Sequence, residues 1–189
     1  DEALDLLLAY GWDPETTKLH ASHYAFATPA IATTYATSYS RASVSENLCG
    51  FSFAGIDGAG RPAPLAANAL AQVFGTGNGV PPTSGIQIIN NLSVGGPIRD
   101  GISTSPSTGL TDYNIDGALC QRSLWTGSDA AATNLRSGAN ATLRNANLRG
   151  KPAIIVHGRA DTLTPPAFTS RPYFGQNRIT EGAASRLTY

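Results

Sequence analysis

The sequence predicts an α/β chain: a mainly helical region, residues 1–149, followed by residues 150–189, which read as part of a parallel, doubly wound sheet. Two observations carry this. Up to Gly150 the apolar residues recur at helical spacing between glycine- and proline-rich loops. After Gly150, Lys151-Pro152 leads into Ala153-Ile154-Ile155-Val156, a short apolar run bounded by turn signals, then a loop, a helix and a last alternating stretch. Strand, loop, helix and strand in that order make a βαβ unit, in which a short continuous apolar run is a buried parallel strand.

The elements follow in order. Glu2 to Tyr10 places Ala3, Leu4, Leu7 and Leu8 on one helical face and stops at Gly11. Asp13-Pro14 is an N-cap with proline at the first helical position, opening a second helix to about Tyr24. Pro29 opens a third, with Ile31, Tyr35 and Tyr39 four residues apart. Val44 to Gly60 reads as loop, closed by the turn Asp57-Gly58-Ala59-Gly60. A helix spans Leu65 to Phe74, a glycine- and proline-rich loop spans Gly75 to Gly85, and Ile86, Ile88 and Ile89 suggest a short strand. Residues 93–114 are mostly loop. Helices are predicted at Asp116 to Trp125 and Asp129 to Leu148. Beyond the apolar run, Thr164 reads as the N-cap of a helix from Pro165 to about Asn177, and Ser185 to Tyr189 alternates like a strand cut short.

Composition narrows the function. The 189 residues carry 13 basic and 13 acidic side chains, so no electrostatic argument favours nucleic acid or an anionic membrane surface as partner. No run of apolar residues is long enough to span a bilayer. The chain has no Met, and no basic or apolar leader precedes the first helix; with the broken final strand, this reads as a fragment of a longer protein. Cys49 and Cys120 have no CxxC or Cys/His companions, which disfavours a metal site and leaves two readings, two buried thiols or, the one favoured, a Cys49–Cys120 disulfide of an exported protein. Two Lys against 11 Arg inclines toward export.

The chemistry-bearing motif is His157-Gly158-Arg159-Ala160-Asp161-Thr162-Leu163-Thr164-Pro165, directly after the apolar strand. It resembles the segment of α/β-hydrolases that presents the acid of a Ser-His-Asp triad. In open parallel sheets catalytic groups collect at the carboxyl ends of the strands, where Asp161 falls. A carboxylate there holds a histidine in the required tautomer and stabilises its cation during acyl transfer. The plainer reading is that Asp161 bonds loop amides or caps the next helix.

Other groups weigh less. Gly50-Phe51-Ser52-Phe53-Ala54-Gly55 nearly matches the Gly-x-Ser-x-Gly nucleophile elbow, but the fifth residue is Ala and no strand–turn–helix surrounds it. His20 and His23 lie on one helical face without a third ligand and read as solvated. His157 reads as packing beside the site rather than as its general base. Gly75-Thr76-Gly77-Asn78-Gly79 follows a helix instead of opening one, so it lacks the geometry of a phosphate loop.

Longer stretches carry a wider resemblance: Pro29 to Arg41, Glu46 to Ala54, Phe74 to Thr83, Leu119 to Trp125, Lys151 to Asp161, Thr169 to Tyr173 and Gln176-Asn177. Together they are similar to the extracellular 3-hydroxybutyrate-oligomer hydrolases, serine esterases of the α/β-hydrolase type. The resemblance implies that the catalytic Ser lies upstream of this region and the catalytic His downstream. Residues 1–149 would then form a helical cap, Asp161 would be the one triad member present, and residues 1–189 alone would hydrolyse no ester. It implies a small hydroxyacyl ester substrate, no metal or organic cofactor, the rest of the same protein as partner, and an extracellular or periplasmic location. Another capped esterase, feruloyl-esterase- or tannase-like, shares the acid motif. A non-catalytic polymer-binding module is the reading from a different class; it calls for aromatic stripes that the sequence lacks.

Overall fold

A computed structural model describes residues 2–75, 86–162 and 164–189. In chain order the elements are α1 (Glu2–Ala9), α2 (His20–Ser22), α3 (Ala32–Ser40), β1 (Phe51–Ile56), β2 (Pro62–Ala63), α4 (Ala67–Gly75), β3 (Gln87–Asn90), β4 (Ile98–Arg99), α5 (Ile115–Thr126), α6 (Ala130–Ala141), β5 (Ala153–Ile154), α7 (Ser170–Glu181) and β6 (Leu187–Thr188). The chain forms two compact units, one of Asp1–Ala27 with Leu143–Tyr189 and one of Thr28–Thr142. These divisions differ from the change in sequence character at Gly150. Most of the expected glycine-rich loop, residues 76–85, lies outside the described residues, as does Leu163.

The Thr28–Thr142 unit joins a curled antiparallel sheet, in the order β2-β1-β3-β4, to the helices α3, α5 and α6. β1 corrects the expectation of a loop from Val44 to Gly60. Phe51 pairs with Asn90, Ser52 with Ile89, Phe53 with Ile88 and Ala54 with Gln87, so β1 acquires its structure from a strand far along the chain. Phe51 and Ile88 are buried with Ala30, and Ala36, Leu124 and Leu135 form a second buried cluster; Cys49 packs against both. Cys49 and Cys120 are bonded, with Cα atoms 5.5 Å apart, which fastens the turn before β1 to α5.

Helix α6 lies against α3 closely enough that a Cβ on Gly138 would run into the carbonyl of Tyr39. Gly175, in the middle of α7, has open space instead. The two glycines therefore predict opposite outcomes for one substitution. Gly138→Ala should cost about 3 kcal/mol, the upper end for overpacking, because a backbone carbonyl cannot swing aside. Gly175→Ala should stabilise by about 0.5–1 kcal/mol through helix propensity. Urea midpoints of the two variants measure both; equal shifts would contradict the packing account.

Asp100, which follows β4, is buried, and its Oδ1 has no hydrogen-bond partner among the described residues. Burial pushes its pKa up to about 6, with the Asn114 amide pulling back part of that rise. The folded chain thus holds this proton more tightly than the unfolded chain, whose Asp titrates near 3.8. Stability from this group is highest below the unfolded value and falls as pH rises toward 6. Asp100→Asn should be more stable than the wild type by about 2–3 kcal/mol near pH 7, with the gap closing below about pH 4. Thermal unfolding across that range checks it, and a pH-independent gap would contradict it.

In the other unit, β5 and β6 pair in parallel, Ala153 opposite Leu187 and Ile154 opposite Thr188, with α7 between them in sequence. Parallel neighbours need such a crossover. Asn177 on α7 is fully buried and joins three segments. Its amide nitrogen donates to Ala146 O at 2.8 Å and to Glu181 Oε2 at 3.0 Å, and its oxygen accepts from Ser185 Oγ at 2.6 Å. Ile154 and Val156, expected to be interior, are 76% and 92% exposed. One parallel neighbour, β6, is all that flanks this run among the described residues, so nothing covers its other side.

Two helix boundaries also differ from expectation. Pro29 does not open a helix; it sits inside a π-helical stretch, His23–Ile31, that runs into α3. The wider turn accommodates a residue that has no N–H to donate. α6 stops at Ala141 rather than Leu148, because Asn145 and Asn147 each accept a hydrogen bond from the backbone two residues ahead. Those local bonds compete with helix.

Candidate active site

Asp161 stands on the loop after β5, before the single 3-10 turn Pro166–Phe168 and well ahead of α7. Its carboxylate is gripped locally. Oδ1 accepts from the Thr164 N–H at 2.9 Å, and Oδ2 accepts from the Thr164 hydroxyl at 2.9 Å. Oδ2 also lies 3.2 Å from His157 Nε2. The side chains of His157 and Asp161 are 15% and 30% exposed.

Donor and acceptor rules order this network. An ionised carboxylate only accepts, so His157 Nε2 carries the proton that faces it. In the neutral ring Nδ1 then accepts, and the group 2.5 Å from it is the hydroxyl of Ser170, the first residue of α7. Ser170 Oγ lies 3.0 Å from the hydroxyl of Tyr189. Tyr189, Ser170, His157 and Asp161 thus form one chain of hydrogen bonds from the end of β6 to the acid loop.

The N-terminal segment of the same unit braces this loop from outside. Arg159 donates through Nε to Asp13 Oδ2 at 3.0 Å and approaches it again through a terminal nitrogen at 2.8 Å. The Glu15 N–H and then Arg159 hold the Asp13 carboxyl below its usual range. His23 Nδ1 lies 2.6 Å from the carbonyl of Thr162; a carbonyl only accepts, so this nitrogen carries the proton. Trp12, buried, stacks at a tilt against His20 and His23, with ring centroids 5.7 and 4.9 Å away.

The loop therefore brings together residues that sequence reasoning kept apart. His20 and His23 are not merely solvated: both lie against Trp12, and His23 holds the acid loop. Thr164 is not the cap of the next helix, since that helix starts at Ser170 and has no side-chain cap. Thr164 instead clamps Asp161, and the signal for it was available as an Asp followed three residues later by Thr, the spacing of a local side-chain-to-backbone turn. Ser170 and Tyr189 had no sequence signal, because their approach to His157 depends on how α7 and β6 return to the loop. Ser52 lies within β1, paired to β3, and not on the sharp strand-to-helix turn of a nucleophile elbow. Among the described residues no group of three or more His, Cys, Asp or Glu side chains gathers to hold a metal, and no helix is long and apolar enough to cross a membrane.

Comparison with known proteins places these residues in context. The family described as 3HB-oligomer hydrolase matches residues 1–189. A D-(-)-3-hydroxybutyrate oligomer hydrolase from Azoarcus sp. (strain BH72) is 57% identical over 189 residues, covering 100% of this chain and 27% of that protein. Proteins with the same description from Polaromonas naphthalenivorans (strain CJ2) and Polaromonas sp. (strain JS666 / ATCC BAA-500) are each 58% identical, over 99% and 100% of this chain and again 27% of their own length. The chain thus spans about a quarter of the length of the curated relatives it matches. No solved structure matches it.

Proposed function

Because this chain belongs to the 3HB-oligomer hydrolase family, we propose that the full protein hydrolyses ester bonds in 3-hydroxybutyrate oligomers and that Asp161 is its triad acid. The observation that carries the second part is the clamp on Asp161: Thr164 fixes both carboxylate oxygens on a loop beyond a parallel strand. A carboxylate held in this way orients an imidazole without having to be reorganised during the reaction.

In this reading a serine elsewhere in the full protein attacks the ester carbonyl. A histidine, also elsewhere, takes the serine proton and returns it to the leaving hydroxyl. Water then repeats the attack on the acyl-enzyme, and Asp161 stabilises the imidazolium in both halves. The chemistry needs no metal or organic cofactor. His157, Ser170 and Tyr189 position Asp161 from behind, and Asp13, His23 and Arg159 hold its loop.

The β5–α7–β6 unit supports an α/β-hydrolase sheet, and the exposed Ile154 and Val156 suit a strand whose further neighbours come from the rest of the protein. The Thr28–Thr142 unit corresponds to most of the helical cap. The disulfide supports an extracellular or periplasmic location, since such bonds persist in oxidising compartments.

A second reading has one observation in its favour. Ser170, His157 and Asp161 are themselves a Ser–His–Asp line, with the ring nitrogens exchanged relative to the usual triad. In that case Ser170 is the nucleophile and His157 its base. Turnover of a 3-hydroxybutyrate trimer by the full-length protein separates the readings. Ser170→Ala leaves kcat within about tenfold if Ser170 only positions, and abolishes turnover if it attacks.

A further inference from the structure

The Thr28–Thr142 unit contains a cleft of about 450 Å³ that the Asp161 reading does not use. That volume is in the range, roughly 300–1,000 Å³, of small-molecule sites. It lies between α3 and β1, with Thr33 and Ser52 supplying hydroxyls and Val44, Leu48 and Phe53 supplying apolar wall. No charged side chain lines it among the described residues.

The polarity of the Ser52 hydroxyl is fixed by its neighbour. Asn91 Nδ2 lies 2.9 Å from Gly50 O; a carbonyl only accepts, so that atom is the amide nitrogen and it donates. The same nitrogen is 2.8 Å from Ser52 Oγ, which must therefore accept there and turn its own proton elsewhere. Gln121 Nε2 donates to Thr33 Oγ1 at 2.5 Å. Among the described residues neither hydroxyl has a further acceptor for its proton. The cleft thus presents the Ser52 hydroxyl as a donor on its β1 side, beside apolar surface and with no countercharge. An ionic ligand would be desolvated there without compensation. A neutral chain with carbonyl acceptors and small apolar branches matches it.

We propose that this cleft is a binding subsite for the uncharged interior of a hydroxyacyl ester oligomer, with Ser52 donating to an ester carbonyl and Val44, Leu48 and Phe53 meeting the methyl branches. It rests on the substrate reading above and not on the role of Asp161. Ser52 thereby has a role in recognition rather than attack.

The test uses the full-length enzyme with two substrates, a 3-hydroxybutyrate tetramer and p-nitrophenyl acetate, and two variants. Ser52→Ala removes one donor. Val44→Trp fills the cleft at a residue that is 85% exposed, where the fold tolerates bulk. Both should raise KM for the tetramer, Ser52→Ala by about tenfold, and leave kcat and all parameters for the acetate unchanged. Equal losses on both substrates, or no change on either, would overturn the subsite. If the wild type cleaves the acetate but no oligomer, the substrate reading itself is wrong; oligomer cleavage indifferent to both variants defeats the subsite alone.

Discussion

Asp161→Asn in the full-length protein is expected to lower kcat for 3-hydroxybutyrate oligomers by about four orders of magnitude while leaving KM and the unfolding midpoint nearly unchanged. The asymmetry follows from the clamp. Asparagine keeps a carbonyl oxygen to accept from the Thr164 N–H, so the loop retains its main tie. It replaces the other oxygen by an NH2 group, which cannot accept a hydrogen bond from a histidine N–H and carries no charge to stabilise an imidazolium. The remaining braces, Arg159 on Asp13 and His23 on Thr162, do not involve the carboxylate. His157→Gln, which disturbs only a neighbour of Asp161, should cost less than about tenfold. Asp129→Asn is a control of another kind: Asp129 caps α6 by accepting from the Ala132 N–H at 2.8 Å, so its replacement affects stability by at most about 1 kcal/mol and not the rate. Near-normal kcat in Asp161→Asn would remove the triad assignment.

What the sequence revealed, and what it hid, divides along local and non-local physics. α1, α5 and β3 were readable because apolar spacing and end signals lie within each segment. The position of Asp161 on the loop after β5 was readable because an apolar run and a turn-rich loop mark the carboxyl end of a strand. β1 was not, since Phe51-Ser52-Phe53 alternates only briefly before Ala54-Gly55, and its strand character depends on pairing with β3. The end of α6 was hidden because Leu143 and Leu148 continue the apolar count, while the competing Asn145 and Asn147 bonds stabilise a different backbone. At the site, Thr164 was misassigned because threonine before proline resembles a cap. His23 reaches the loop from a segment remote in sequence, and Ser170 and Tyr189 join the hydrogen-bond chain of His157 only through the way α7 and β6 return to it, which no local pattern records.

Removing the disulfide is expected to have the largest effect on stability. The Cys49–Cys120 bridge closes 71 residues of separation, which on the chain-entropy model restricts the unfolded chain by about 4 kcal/mol. Its native surroundings add to that dependence. Asn47, Cys49 and Gly50 all have positive φ, values of 49°, 56° and 78°, so the turn that launches β1 adopts a conformation side chains disfavour. The bond to α5 holds that turn in place, and Cys49 packs against both buried clusters of its unit. Cys49→Ser with Cys120→Ser should therefore lower the unfolding free energy by about 4 kcal/mol. Reductant should lower the midpoint of the wild type to that of the double variant and leave the variant itself unmoved. Residual structure in the unfolded chain would reduce the size of the loss, but not reverse its sign. A wild-type midpoint insensitive to reductant under conditions where thiol counting finds both cysteines free would refute a stabilising bridge.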